Sequence, residues 1–124
     1  MGNTNVMAWE VEASDEFKDW YESLDEAERA SVAENVDMLE VYGPALGRPY
    51  ADTIRESRYP NMKELIVQHA GDAYRIPFAF DPRRVGILLL GGRKADKKWY
   101  KAAVAAADKI YKRYLEELEK EGLI

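Results

Sequence analysis

Histidine and cysteine, the side chains most often used for catalysis and metal binding, are almost absent from this chain of 124 residues. There is no cysteine, which excludes disulfides and thiolate metal sites and suits a reducing cytoplasm. The one histidine is His69, so Ser-His-Asp chemistry could rest on that residue alone, and a multi-histidine zinc site is excluded. The composition therefore excludes these two kinds of metal site, and we expect no metal and no cofactor.

Basic residues are the second group that could do chemistry, and they are concentrated in one segment. Residues 75–113 contain 11 Lys or Arg and 3 Asp or Glu, whereas residues 1–62 contain 5 and 14. The formal net charge of -5 argues against a nucleic-acid partner, but a partner senses the local field within about 8 to 10 Å. The basic segment could bind nucleic acid; the alternative is that its charges only solubilise a helix.

Size and composition limit the architecture that can carry this segment. The chain has a mass of 14.2 kDa, with 47% hydrophobic and 33% charged residues, which is typical of a single globular domain over residues 1–124. No apolar run approaches the roughly 20 residues of a membrane-spanning helix. The first residues are polar and show no targeting signal, so we expect a cytoplasmic protein.

The first half of the chain is predicted to form one strand and two helices. Alternating apolar and polar residues predict a strand over residues 7–13. Ser23, with Glu26 three residues later, predicts a capping box that opens the second helix, and Gly43 with Pro44 ends it. We expect the two helices to form an antiparallel hairpin packed on a sheet. Residues 45–62 are rich in turn formers and predict a long connection.

The second half is predicted to contain three strands and a long helix, over residues 63–68, 74–80, 85–90 and 97–121. Asp96 is the expected N-cap of that helix. Arg75 is expected on the face of its strand opposite the apolar residues. Pro77 cannot donate to a ladder, so a bulge or a locally free edge is expected there. The order β-α-α-β-β-β-α defines a small α+β domain with an N-terminal strand, a two-helix hairpin, a mainly antiparallel sheet and a C-terminal helix.

An ordered series of motifs in this half resembles the HigB branch of the RelE/ParE toxin superfamily. The motifs occupy residues 61–65, 74–84, 88–94, 99–100 and 107–111. The resemblance implies a RelE-like fold and the toxin of a type II toxin-antitoxin system. It further implies a metal-independent, ribosome-associated mRNA endoribonuclease, neutralised by a helix-turn-helix antitoxin of the HigA kind.

The resemblance also implies roles for individual residues. Arg75 would bind the scissile phosphate with its planar fork, unless it pairs with an acid across the sheet. Lys94 would stabilise the transition-state charge or protonate the leaving oxygen. Tyr100 would stack on a base or orient the 2′-hydroxyl, although its spacing also fits the helix core. The further RNA-binding candidates are Lys63, Arg93, Lys97, Lys98, Trp99 and Lys101.

The chain departs from the family pattern at the expected position of the general base. Glu64 and Ile66 stand where RelE relatives have basic residues, so Glu64, Lys63 and His69 are all candidates for the base. Arg93 stands where HigB relatives often have aspartate. Two other functions stay open: a ParE-like toxin that inhibits gyrase, or a non-catalytic binding module derived from a phage.

Overall fold

The computed structural model describes residues 8–124, which contain three helices and a six-stranded sheet. The helices are α1 (Asp15–Ser23), α2 (Glu26–Tyr42) and α3 (Lys97–Lys120). The strands are β1 (Val11–Ala13), β2 (Ala51–Thr53), β3 (Lys63–His69), β4 (Asp72–Phe80), β5 (Gly86–Leu88) and β6 (Gly92–Arg93). Within residues 8–124, no helix combines the length and the apolar composition needed to cross a bilayer.

The sheet has the strand order β1-β5-β4-β3-β2, and β6 pairs with the other end of β4. Only the β1–β5 pair is parallel within the part of the chain that is described; the other pairs are antiparallel. The predicted α+β class with a mainly antiparallel sheet is therefore confirmed.

Three predicted boundaries need correction. Strand β1 is limited to Val11–Ala13, and residue 7 of the predicted strand lies outside the described residues. The segment 45–62 is not only a connection, because it contains β2, which pairs with β3. The strand predicted over residues 85–90 is limited to Gly86–Leu88, and a further strand, β6, begins at Gly92. Strands β2 and β6, which the sequence did not predict, are too short to show an alternating pattern. They are defined by their hydrogen bonds to the longer strands β3 and β4.

The helix starts follow local capping, with one correction. The Ser14 hydroxyl accepts a hydrogen bond from the Phe17 amide at 3.1 Å and caps α1. The capping box of α2 is formed by Asp25 and Glu28, at 2.7 and 2.9 Å, and not by Ser23 as predicted. The Ser23 hydroxyl instead donates to a carbonyl in the last turn of α1.

Two hydrophobic clusters cover the two faces of the sheet. One joins α1 and α2 to β3 and β4, with Phe17, Val32, Leu39, Leu65, Val67, Ile76 and Phe78. The other packs α3 on β4 and β5, with Ala79, Ile87, Leu89, Val104, Ala107, Ile110 and Tyr111. Since neighbouring residues of a strand face opposite sides, Arg75 lies opposite Ile76 and Phe78, as predicted, and this is the face that α3 covers.

Pro77 occupies a gap along one edge of β4. Its register with Glu64 of β3 continues without a break, so the predicted bulge is wrong. The Pro77 carbonyl accepts from the Leu89 amide at 3.0 Å, so the missing N–H of Pro77 faces the same edge. The strands on that edge are interrupted between Leu88, where β5 ends, and Gly92, where β6 begins, but the Leu89–Pro77 bond lies in this gap, so the edge beside Pro77 is interrupted and not free as predicted.

Candidate active-site cleft

A cleft with a volume of about 850 Å³ lies on the α3 face of the sheet. Its floor is formed by Glu64 of β3, Arg75 of β4 and the side chain of Tyr100 from α3. The helix wall, at one side, consists of Lys94, Lys97, Lys101, Val104, Ala105 and Asp108. The connection wall, at the other side, consists of Arg48, Asp52, Thr53, Arg55 and Glu56. The three predicted catalytic residues, Arg75, Lys94 and Tyr100, thus line one cleft.

The floor contains a buried hydrogen-bonded cluster around Glu64, which is 5% exposed. Arg75 donates from Nη1 to Glu64 Oε2 at 3.0 Å, and the Tyr100 hydroxyl donates to the same oxygen at 3.2 Å. Burial raises the pKa of Glu64, against the lowering effects of Arg75 and Tyr100. Burial and the neighbouring carboxylate raise the pKa of Tyr100, so this phenol stays protonated and acts as a donor. Arg75 is therefore paired with an acid across the sheet, Glu64, which is the alternative that the sequence left open to phosphate binding.

Two atoms of this cluster are buried without a hydrogen-bond partner. They are Glu64 Oε1 and Arg75 Nε, the only such side-chain atoms found within residues 8–124. A buried polar group without a partner costs about 1–3 kcal/mol, and more for a charged group. The floor of the cleft therefore contains one unsatisfied acceptor, on Glu64, and one unsatisfied donor, on Arg75, both buried.

The helix wall places cations where the backbone already adds positive potential. The first turns of α1 and α2 carry acidic residues, which complement the positive end of the helix dipole, but the first turn of α3 has none. Lys97 and Lys101 stand in that region and are exposed. Lys94 lies over the Tyr100 ring, with Nζ at 4.9 Å from the ring centroid. The Asp96 carboxylate caps the start of α3 and offsets the dipole, so the three lysines supply the charge of this wall that attracts an anion.

Two candidates for the general base lie on the opposite face of the sheet. The Lys63 ammonium donates to the carbonyls of Pro44 and Leu46, at 2.9 and 3.1 Å, and burial lowers its pKa. His69 Nδ1 is 2.8 Å from the Ser31 hydroxyl of α2. Neither side chain lines the cleft, so neither the RNA-binding role of Lys63 nor a base role for either residue fits this geometry.

Arg93 also lies away from the cleft. Its guanidinium carbon is 5.4 Å from the centroid of the Tyr74 ring, and its nitrogens are 3.4 Å from Asp72 and 3.7 Å from Glu28. Arg93 and Lys94 are neighbours in the chain, but only Lys94 lines the cleft. Arg93 therefore contacts Tyr74, Asp72 and Glu28 and does not line the cleft, where an RNA-binding residue would be expected.

Trp99 is half-buried and packs against β6. A Cβ added to Gly92 would lie 2.5 Å from the Trp99 ring, and one added to Gly91 would lie 2.3 Å from the Trp20 ring. The two glycines thus let two indoles approach the backbone. Lys98 is exposed but does not line the cleft, so of the RNA-binding candidates only Lys97 and Lys101 do.

The connection wall was missed because its residues lie in a segment with strong turn signals and no periodicity. Its position follows from β2, whose Asp52 pairs in register with Glu64. The Arg48 guanidinium binds the Asp52 carboxylate at 2.6 Å, and this hydrogen bond is the largest cause of the lowered pKa of Asp52. A sequence signal was available only in the mixture of charges at Arg48, Asp52, Arg55 and Glu56.

A smaller cavity of about 360 Å³ lies at the start of α1, against the later part of α3. Glu12, Asp15, Glu16 and Glu117 line it together with Arg113, so its charge disfavours phosphate. No group of three or more His, Asp or Glu side chains within residues 8–124 is arranged to hold a metal ion.

Comparison with known proteins places the chain in a family. Residues 19–112 match the family model described as "Phage derived protein Gp49-like". The chain is 46% identical over 98 residues to the Mycobacterium tuberculosis protein named "Putative toxin HigB3", covering 77% of this chain and 84% of that protein. It is 42% identical over 103 residues to "Putative toxin HigB2" of the same organism, covering 81% of this chain and about half, 51%, of that protein.

Solved structures with low sequence identity show the same fold. An E. coli RelE toxin mutant in the free state has a TM-score of 0.60 and 14% identity, and the match covers 80% of this chain and 97% of RelE. RelE in the Pyrococcus horikoshii OT3 RelE-RelB complex has a TM-score of 0.54 and 19% identity, with coverages of 72% and 98%. The fold and the relatives define a toxin of the RelE class, the toxin half of a type II toxin-antitoxin system. The chain belongs to the Gp49-like family and to the HigB branch of the RelE/ParE superfamily, which confirms the resemblance drawn from its motifs.

Proposed function

We propose that this toxin is a metal-independent endoribonuclease that cuts mRNA on the ribosome. The observation that supports this proposal is the pair of buried, unpartnered atoms on the floor of the cleft, Glu64 Oε1 and Arg75 Nε. The acceptor suits a hydroxyl group and the donor suits a phosphate oxygen. RNA presents these two groups next to each other, as a 2′-hydroxyl and the adjacent phosphate, whereas DNA lacks the hydroxyl.

Glu64 is the proposed general base. Of the three candidates, it alone faces the cleft, since Lys63 and His69 are bonded on the other face. A base works best when its pKa approaches the working pH, and burial raises the pKa of Glu64 in that direction. Its Oε1 takes the proton of the 2′-hydroxyl while the 2′-oxygen attacks phosphorus.

Arg75 and Lys94 complete the proposed reaction. Arg75 holds a non-bridging phosphate oxygen and offsets the negative charge of Glu64 beside the substrate. The bond from phosphorus to the 5′-oxygen breaks, and Lys94 supplies the proton that this oxygen needs. The products are a 2′,3′-cyclic phosphate and a 5′-hydroxyl. Tyr100, held as a donor near Glu64 and under Lys94, orients these two groups.

A cognate antitoxin is the proposed protein partner, because two of the solved RelE-fold structures are toxin-antitoxin complexes. We propose a helix-turn-helix antitoxin of the HigA kind, encoded beside the toxin, and a cytoplasmic location for the pair. Co-purification of the toxin with the product of the neighbouring reading frame tests this assignment.

Expression of the toxin followed by mapping of transcript ends tests the proposed activity. New 5′-hydroxyl ends in mRNA are expected for the wild type and not for the R75A/K94A double variant. The matched control is K18A/K120A, which also removes two positive charges but lies outside the cleft. Equal growth arrest by the wild type and R75A/K94A would refute the assignment. Inhibition of gyrase supercoiling without new transcript ends would favour a ParE-like toxin, and neither effect would favour a non-catalytic module.

A further inference from the structure

The two walls of the cleft differ in their charge. The helix wall carries Lys94, Lys97 and Lys101, and its one acid, Asp108, is engaged by the Ser57 hydroxyl and the Arg58 amide. The connection wall instead carries equal numbers of basic and acidic side chains, two Arg and two acids. One wall is thus cationic and the other is mixed.

We propose that the connection wall reads the bases of the RNA and sets the sequence preference of cleavage, while the helix wall holds the phosphate backbone. This inference rests on the proposed ribonuclease function and names the part of the same cleft that selects the substrate. Phosphates follow the cationic wall, so the bases of a strand in the cleft turn toward the mixed wall.

The connection wall offers the chemical groups that base edges require. A guanidinium donates to the two acceptors of guanine, and a carboxylate accepts from the amino group of cytosine. Among residues 8–124, the side chains of Arg55 and Glu56 make no hydrogen bond or ion pair, and both are exposed. Arg48 and Asp52 are already paired with each other at 2.6 Å, so Arg55 and Glu56 are the available readers.

The wall is held in place before RNA arrives. β2 pairs with β3 through the register of Ala51 with Leu65 and Thr53 with Lys63. At the other end, Asp108 of α3 accepts from the Arg58 amide at 3.1 Å and from the Ser57 hydroxyl. A recognition surface fixed at both ends loses little entropy on binding, which is a requirement for discriminating between bases.

The test separates the two walls with variants of different charge. R55Q/E56Q removes one charge of each sign and leaves the net charge unchanged. K97Q/K101Q removes two positive charges from the helix wall. R58Q is the matched control, because Arg58 is exposed, lies in the same segment and does not line the cleft. Thermal melts check that all variants are folded.

Two measurements are made on each variant. Sequencing of transcript ends gives the cleavage preference at each position around the cut. Binding of a short single-stranded RNA, blocked by a 2′-O-methyl group at the scissile nucleotide, is measured over a range of salt concentrations. The slope of log affinity against log salt counts the phosphates that are neutralised, at roughly 0.7 per phosphate for single strands.

R55Q/E56Q is expected to lower the preference for the favoured base by roughly 5- to 100-fold, with the wild-type salt slope retained. K97Q/K101Q is expected to reduce the slope by about 1.4 and to keep the preference. Wild-type preference in R55Q/E56Q, or a shifted preference in R58Q, would overturn the inference while the ribonuclease activity stood. A wild-type protein that neither cuts nor binds RNA would overturn both proposals.

Discussion

Replacing Glu64 with glutamine separates the charge of this side chain from its place in the fold. Glu64 is 5% exposed and accepts hydrogen bonds from Arg75 and Tyr100 through one oxygen. Glutamine has nearly the same shape, and its amide oxygen can accept the same two bonds. It cannot take a proton from a hydroxyl, so E64Q should fold and fail to cut RNA.

E64Q should change the unfolding free energy only slightly, because it weakens two hydrogen bonds but also removes the cost of burying a charge. A hydrogen bond to a charged group contributes about 1.5–3 kcal/mol and one between neutral groups about 0.5–1.5 kcal/mol, so the two bonds weaken. The raised pKa of Glu64 means that burial penalises the carboxylate by more than its partners favour it. The unfolding free energy of E64Q should therefore lie within about 1 kcal/mol of the wild type, whereas E64A, which removes the acceptor, should lose about 3 kcal/mol.

The pH dependence follows from the direction of the Glu64 pKa. A carboxyl group whose pKa is raised in the folded state binds its proton more tightly there than in the unfolded chain. Its contribution to stability is present at low pH and is lost as pH rises through the pKa of the folded state. The stability of E64Q relative to the wild type should therefore increase with pH through that interval.

Activity should change much more than stability. General-base catalysis contributes roughly 10²- to 10⁴-fold, so the single-turnover rate of E64Q on a short RNA should fall by that factor. The rise of the wild-type rate with pH, as Glu64 loses its proton, should also disappear. Denaturant unfolding and single-turnover cleavage between acid and neutral pH are the two assays. A stable E64Q protein with the wild-type rate and pH profile would refute the assignment of Glu64 as the base.

Three further sets of substitutions test the fold that supports the cleft, each by urea unfolding. Asp25→Ala should lower the unfolding free energy by about 0.5–2 kcal/mol and Ser23→Ala by less than about 0.5 kcal/mol, because Asp25, and not Ser23, caps α2. Equal losses for the two variants would contradict this assignment of the cap. Gly92→Ala meets an indole at 2.5 Å and should cost about 1–3 kcal/mol, unlike Gly47→Ala, whose nearest atom is at 4.0 Å. Tyr114→Phe removes a donor at 2.7 Å from a buried carboxylate and should cost about 1–3 kcal/mol. The carboxylate is that of Asp81: burial opposes its ionisation, but its hydrogen bonds outweigh burial and lower its pKa. The stability lost in Tyr114→Phe should therefore shrink as pH falls through the pKa of Asp81 in the folded state.

Local signals in the sequence were sufficient for most of the fold. The Asp96 cap of α3 is present, with the Trp99 amide donating to its carboxylate at 2.8 Å, and the turn after β4 is closed by the Arg84 amide at 2.8 Å from the Asp81 carbonyl. The start of α2 could not be chosen from the pattern, since Ser23 and Asp25 each precede a glutamate by three residues. Only the structure shows which of them the last turn of α1 already uses.

The positions of site residues could be predicted where side chains alternate along a strand of sufficient length. Alternation in β4 places Arg75 on the face opposite Ile76. The same rule, applied to β3, assigns Lys63 to the face of Leu65 and its neighbour Glu64 to the cleft. The connection wall could not be predicted, because a strand of three residues carries no period and its place depends on pairing with a distant strand.

The positive charge of residues 75–113 is real in the sequence but is divided in space. Arg93 lies on the face of the sheet that α1 and α2 cover, and Arg83 binds Asp81 and Tyr114 outside the cleft. Of the 11 basic residues in the segment, Arg75, Lys94, Lys97 and Lys101 line the cleft. The segment therefore supplies four cations to the cleft, around the buried Glu64 carboxylate, and the connection wall adds two Arg and two acids. The acidic helices α1 and α2 cover the other face of the sheet. An anion is attracted to one face and repelled by the other, so RNA should reach the cleft from the α3 side despite the negative net charge.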